Sequence, residues 1–319
     1  MKAAVVSSFD AAPRCEEFPD PTVADEHDLV VEVIAAGLHP RVRSQADGSH
    51  YTSTDELPLV PGIDGVGRGP DGLLRYFVLP DTTMGAMAER TVIDVRRSIV
   101  LPEKSDPIAV AAGMNPAMAS WIALRRRTRF EAGQNVLILG ATGSAGRLAV
   151  QIAKLLGAAQ VVAAGRGADR LGELPALGAT DTVSLAGDAA AVAQRIGQAC
   201  TDVDTVIDFL WGEPATTAMT ALVTDRADRG RPLTWLQIGS VAGPTAAIPS
   251  AALRAARLQI LGSGQGSVST RDILAELPAL AQAITDGKID VTARAVALAD
   301  VEQAWGDVAR GAQRVVVTP

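Results

Sequence analysis

The feature that most constrains this chain is a glycine loop, Gly140-Ala-Thr-Gly-Ser-Ala-Gly146, set between two apolar patterns of different period. Asn135-Val-Leu-Ile-Leu139 before it has the length and branching of a buried strand. Ala145–Leu156 after it repeats apolar residues at helical spacing. A strand, a glycine turn and a helix in that order form the context in which such a loop binds a dinucleotide. Gly140 permits the tight turn, Gly143 lets backbone approach a pyrophosphate, and Gly146 lets helix and strand pack closely. The N–H groups that open the helix, around Thr142, Ser144 and Ala145, have no intrahelical partner and face the phosphates. The alternative, a purely structural glycine turn in another α/β protein, fits the following strand–helix alternation less well.

The second strand of the unit, Gln160-Val-Val-Ala-Ala164, bears on which dinucleotide is bound. An NAD site places an acidic side chain there to accept from the ribose 2′-hydroxyl. This chain instead continues Gly165-Arg166-Gly167-Ala168-Asp169-Arg170. The planar cation of Arg166 suits a 2′-phosphate, and Arg170 reaches the same side one helical turn later. The expected cofactor is therefore NADP(H), with Asp169 read as a helix N-cap.

Around this unit the texture changes twice. Residues 1 to about 100 carry short alternating runs: Leu29–Ile34, Tyr76–Leu79, Glu89–Ile93 and Ser98–Leu101. Pro58, Pro61, Gly62, Gly65, Gly67, Gly69 and Pro70 punctuate them, as in a heavily turned β-domain. Ile108–Leu124 reads as a helical connection broken at Asn115-Pro116. Further strands are expected at Thr182–Leu185, Thr205–Phe209, Leu233–Ile238 and Leu258–Leu261. The helices between them are Asp169–Leu177, Ala189–Cys200 and Pro214–Leu222, with Thr270–Asp286 closing the unit. The tail Arg314–Thr318 returns to strand. The fold class is α/β, with domains at 1–112 plus 288–319 and at 113–287.

Composition excludes several alternatives. The net charge of −7 argues against nucleic acid as a partner. Two cysteines, Cys15 and Cys200, support neither a disulfide framework nor a cysteine-rich zinc lobe. No uninterrupted apolar run reaches the ~20 residues of a membrane span, so a cytoplasmic protein is expected. The basic run Arg125–Arg129 reads as a solvated helix C-terminus.

Several stretches resemble the medium-chain dehydrogenase/reductase superfamily, and within it the zinc-independent quinone oxidoreductase branch. They are Val33-Ile-Ala-Ala-Gly-Leu-His-Pro40, Leu57–Gly67, Gly85-Ala-Met-Ala-Glu89, Ala141–Gly157, Ile238-Gly-Ser240 and Gly311–Val317. The resemblance implies a GroES-like β-rich catalytic domain, a Rossmann doubly wound parallel sheet and a homodimer. Zinc members carry a cysteine where this chain has Leu38, and Gly-His-Glu where it has Gly62-Ile63-Asp64. Of the histidines, His27, His39 and His50, none pairs with a cysteine at a zinc spacing. Without a Lewis acid, hydride delivery suits an acceptor that is already electrophilic: a quinone, or the β-carbon of an enone.

Tyr51 and His39 are the candidate catalytic residues. Tyr51 lies in the turn Gly48-Ser-His-Tyr51, where relatives often carry a cleft tyrosine. His39 stands where many relatives have an asparagine beside the nicotinamide, and His50 is a weaker candidate. Asn115, before Pro116 in the interdomain segment, is expected to face the nicotinamide, and Ser240 and Gly264, which follow the later strands, to contact it through backbone groups; Asp208, at a strand end, is either near the ligand or a cap for the helix after Gly212. Trp121, Trp211, Phe209 and Met118 line the cleft or belong to the core. Two rivals remain open. An enoyl-thioester reductase would need a basic patch such as Arg41 and Arg43, and a non-catalytic protein would only sense cofactor or bind a partner.

Overall fold

The computed structural model describes residues 1–50, 52–264, 266–309 and 314–319. They divide into two compact units, Met1–Asn115 with Leu274–Pro319, and Pro116–Ile273. The chain enters the first unit through strands β1 (Lys2–Val5), β2 (Arg14–Glu17) and β3 (Asp28–Leu38), then helix α1 (Pro40–Ala46). Strands β4 (Asp64–Arg68), β5 (Leu74–Val78), β6 (Arg90–Asp94) and β7 (Ser98–Val100) follow, and helix α2 (Pro107–Ile122) leads into the second unit.

There, β8 (Asn135–Leu139), α3 (Ser144–Leu155), β9 (Gln160–Gly165), α4 (Ala168–Gly172), β10 (Asp181–Ser184) and α5 (Ala189–Ala199) form the first half. The second half is β11 (Thr205–Asp208), α6 (Gly212–Asp225), β12 (Leu233–Gln237), α7 (Ser250–Ala255) and β13 (Leu258–Gly262). Helix α8 (Thr270–Thr285), β14 (Arg294–Ala297), α9 (Val301–Ala309) and β15 (Val315–Thr318) return to the first unit.

The second unit's sheet runs β10-β9-β8-β11-β12-β13, with every pair parallel. Its strands are apolar on both faces: Val136–Leu139 and Val161–Ala164 are fully buried, as strands covered by helices on both sides must be. The order reverses between β8 and β11, and a ligand crevice opens at the carboxyl ends of such a pair. The first unit's sheet runs β14-β15-β3-β4-β5-β7, with β6 also on β3, and is mostly antiparallel. Its core gathers Val31, Leu59, Phe77, Met87, Ile93 and Trp305.

Three expectations change. Helix α2 continues through Asn115-Pro116. A proline there removes the N–H that would bond the carbonyl of Ala112, and the Arg314 guanidinium donates to that carbonyl instead. Burial of Val110, Ala111, Met114 and Ala117 on both sides of the proline holds the helix together. The expected helix Asp169–Leu177 divides into α4 and a short 3-10 turn, Leu174–Leu177, because Pro175 interrupts it. The return to the first unit falls at Leu274, not 288. Helix α8 belongs there because Leu277, Leu280 and Ile284 are buried and Thr285 and Asp286 bond Ser105 and Lys104.

By length and composition, Pro107–Arg127 is apolar enough to cross a membrane, although no run of ~20 uninterrupted apolar residues stands there. Sixty-one per cent of its most apolar window is buried within the protein, as in a core helix. The basic run lies in its last turn, where Arg125 stacks on Trp121 at 5.3 Å.

Candidate functional site

The glycine loop sits at the switch point between β8 and β11. Gly140 adopts φ +86°, and the N–H groups of Gly140 and Ala141 both donate to the Ala164 carbonyl at 2.9 Å. This ties the loop to the end of β9. A methyl group on Gly146 would stand 2.2 Å from the Gly140 carbonyl oxygen, so only glycine lets α3 approach the strand. At Gly143 the same methyl would meet only that oxygen, at 3.4 Å, and Gly143 and Ser144 are exposed. The space over Gly143 is open, as a pyrophosphate requires. The N–H groups of Ser144, Ala145 and Gly146 begin α3 with no partner among the described residues, and Gly143 supplies no side-chain cap. Thr142 closes the other side against Gly165, where an added methyl would lie 2.6 Å from the threonine Cγ2.

Beyond β9, Arg166 and Arg170 are both exposed, and neither makes an ion pair among the described residues. Two unneutralised guanidinium groups one turn apart suit a dianionic phosphate. The N-cap of α4 is Gly167, at φ +85°, and not Asp169, which lies in the first turn. The helix already begins at Ala168, so Asp169 lies within it and cannot be its cap.

Asp208 ends β11 and is completely buried. Its Oδ1 accepts from the N–H groups of Leu210 (2.8 Å) and Trp211 (3.0 Å), and its Oδ2 accepts from Trp235 Nε1 (3.0 Å). It therefore fixes the turn ahead of α6 and is not the cap of that helix, whose N-cap is Trp211 at φ +54°. Burial pushes the Asp208 carboxyl above the usual carboxylate range, opposed by those three donors. Ser240 is exposed beyond β12. Both backbone polar groups of Gly264 are engaged by Ser267, at 2.8 and 2.7 Å, so its N–H is not open to a nicotinamide. Asn115 is half-buried in α2. Trp121 and Phe209 belong to the core, while Trp211 and Met118 are half-buried.

In the first unit the structure joins residues far apart in sequence. His39 Nε2 lies 3.0 Å from Asp64 Oδ1, and the Tyr76 hydroxyl donates to Asp64 Oδ2 at 2.8 Å. Asp64 and Tyr76 are fully buried, whereas 11% of the His39 side chain reaches solvent. Burial, with the Asp64 charge behind it, holds the Tyr76 hydroxyl well above the usual phenol range. Sequence reasoning missed Tyr76. The available signal was a lone carboxylate inside the apolar, glycine-rich run Ile63–Gly67, which demands buried partners.

Tyr51 lies outside the described residues. Its neighbour His50 is half-buried, and Nδ1 accepts from the Thr52 N–H at 3.2 Å. Burial, then the charge of Arg41, lowers its pKa and favours neutral imidazole. Arg41 pairs with Asp81 and bonds Thr52. Arg43 donates to the Trp305 carbonyl at 2.5 Å and stacks on its ring at 5.3 Å. Both arginines are drawn inward, so they do not form the free basic patch that a carrier-bound thioester needs. Leu38 and Ile63 are buried apolar side chains, and among the described residues no three His, Cys, Asp or Glu side chains gather as metal ligands.

A parallel sheet of this order, with its glycine turn at the switch point, defines a Rossmann nucleotide-binding unit joined in one chain to a GroES-like β-rich unit. No family model matches the chain. It is 30% identical to a probable NADPH-dependent quinone reductase, tdiC, of Emericella nidulans, over all of both chains. It is 29% identical to the chloroplastic NADPH-dependent alkenal/one oxidoreductase of Arabidopsis thaliana, over 48% of this chain and 44% of that protein. Among solved structures, the quinone oxidoreductase of Thermus thermophilus, also determined in complex with NADPH, aligns over all of both chains with TM-score 0.82 and 25% identity. The chain belongs to the medium-chain dehydrogenase/reductase superfamily, in its quinone reductase-like branch.

Proposed function

We propose that this chain is a zinc-free, NADPH-dependent reductase of quinones or α,β-unsaturated carbonyls, acting as a soluble cytoplasmic homodimer. The observation that carries the reading is the fit of the second unit to a phosphorylated dinucleotide. An open glycine cradle stands at the switch point with three helix N–H groups that have no partner among the described residues, and two arginines that make no ion pair among those residues follow the second strand. In this reading Gly140, Thr142, Gly143, Ser144, Ala145 and Gly146 hold the pyrophosphate. Gly165, Arg166 and Arg170 receive the ribose phosphate, and Asn115 and Ser240 serve the nicotinamide. Tyr51 and His39 are assigned to the acceptor. Bound NADPH supplies the hydride, and the protein's part is to orient the acceptor and stabilise the oxygen that gains charge. The names of the relatives support the acceptor class, and the apolar Leu38 and Ile63 at the zinc-ligand positions support zinc independence.

The test measures NADPH oxidation with a panel of quinones and enones, alongside NADPH and NADH binding by wild type and Arg166→Glu. Losing a charge-assisted contact worth ~1.5–3 kcal/mol weakens NADPH binding by about 10- to 100-fold, while NADH binding changes little. Equal loss for both cofactors would remove Arg166 from the 2′-phosphate. Tight NADPH binding with no turnover of any acceptor would remove the reductase assignment.

A further inference from the structure

Resting on that reductase reading, we propose that His39 is the proton donor to the reduced acceptor, acting through Nδ1, and that Asp64 and Tyr76 are positioning residues that fix its ring through Nε2. The three side chains form one hydrogen-bonded chain from the core outward: Tyr76 hydroxyl to Asp64 at 2.8 Å, Asp64 to His39 at 3.0 Å. Their order follows from the backbone. The register pairs Asp64 with Val78 and Val66 with Tyr76, so Asp64 and Tyr76 are diagonal neighbours on one face of the β4–β5 ladder. His39 follows β3 in extended conformation at the N-cap of α1, with Pro40 next.

A fully buried carboxylate is strongly disfavoured unless it is paired and hydrogen-bonded. Asp64 meets that demand with the Tyr76 hydroxyl on one oxygen and Nε2 of the His39 ring on the other. Because Nε2 is committed to Asp64, Nδ1 is the nitrogen left for chemistry; it has no partner among the described residues. The large majority of buried side-chain polar atoms are hydrogen-bonded. One nitrogen is anchored and the other is free among the described residues, the arrangement in which a ring serves as general acid.

Hydride brings two electrons and forms the new bond to hydrogen, at the β-carbon of an enone or at one carbonyl oxygen of a quinone, and the oxygen at the other end of the conjugated system takes the displaced electron pair as enolate or quinolate. The Nδ1–H bond breaks and an O–H bond forms. Imidazolium becomes imidazole and recovers its proton from solvent; NADPH is oxidised and the acceptor is reduced.

The experiment assays wild type, H39A, D64N and Y76F with NADPH, 1,4-benzoquinone and an acyclic enone, together with NADPH affinity and thermal melting. H39A is expected to lose about 100-fold or more in kcat, to keep its KM for NADPH within about twofold, and to recover activity with added imidazole. D64N keeps the shape of the side chain but removes the charge and turns one of its two acceptor oxygens into an N–H2 donor, so it cannot accept from both the Tyr76 hydroxyl and His39 Nε2. It is expected to lose roughly tenfold in kcat, with the charge-assisted bond gone, and to gain nothing from imidazole, since its own ring is present. Y76F falls between wild type and D64N. If D64N does not fold, H39A and Y76F decide. Wild-type kcat in H39A, or a fall in kcat with KM rising in step and no rescue by imidazole, overturns the proposal while the reductase reading stands. Wild type that binds NADPH but reduces neither acceptor overturns both.

Discussion

Two glycines three residues apart in one loop respond oppositely to the same methyl group. In Gly146→Ala the new carbon would lie 2.2 Å from the Gly140 oxygen and 2.6 Å from Ala141 Cα. Both are backbone atoms that cannot swing away. Alanine gains about 1 kcal/mol of helix propensity, but overpacking against backbone costs about 1–3 kcal/mol or more. The clash wins, and a net loss of roughly 2 kcal/mol lowers Tm by about 4–8 °C. Gly143 has φ −79°, which alanine adopts freely, and its methyl would touch only the Gly140 oxygen at 3.4 Å. Reduced freedom in the unfolded chain then stabilises Gly143→Ala by about 0.4–1 kcal/mol. The methyl instead occupies space assigned to the pyrophosphate. NADPH at 100 times its Kd stabilises wild type by about 2.7 kcal/mol, and Gly143→Ala should lose most of that increment while melting normally without cofactor. Thermal melts with and without NADPH read both effects. An undiminished NADPH shift in Gly143→Ala, or a wild-type Tm in Gly146→Ala, would refute the reasoning about this cradle.

Other residues give sharper tests of the fold. Burial pushes the Cys200 thiol up to about 12, so iodoacetamide at neutral pH should modify Cys200 only after denaturation; rapid alkylation of the native protein, located by mass spectrometry, would contradict its burial. Asp208→Ala leaves the N–H groups of Leu210 and Trp211 and the Trp235 indole without their acceptor. At about 1–3 kcal/mol for an unmet buried donor, less the relief of unburying a carboxyl, urea unfolding should show a loss of roughly 2–4 kcal/mol. Because burial raises the Asp208 carboxyl in the folded chain, the folded state holds a proton that the unfolded state releases. Its contribution is full below the ordinary value of about 4 and declines as pH rises through the raised value; Asp208→Asn should flatten that part of the stability profile, and an unchanged slope would count against it.

Much of the nucleotide unit could be read from the chain because its signals are local. Strand, glycine turn and helix are contiguous at 135–155, and the expected strands at 160, 205, 233 and 258 fall where the parallel sheet has them. The position of Arg166 was legible because it follows β9 directly. Features that depend on distant residues were not legible in this way. Whether Pro116 breaks a helix turns on Arg314, about two hundred positions away, which takes the carbonyl the proline leaves unbonded. Whether Arg41 and Arg43 are free cations turns on Asp81 and Trp305.

The sequence by itself determined a dinucleotide unit built on Gly140–Gly146, the preference for a phosphorylated cofactor and the family, since each rests on residues close together along the chain. Tertiary structure alone decided what His39 touches. Only when β3, β4 and β5 are laid side by side do His39, Asp64 and Tyr76 become one hydrogen-bonded chain. A buried charge specifies its partners in space, and local pattern carries no record of them.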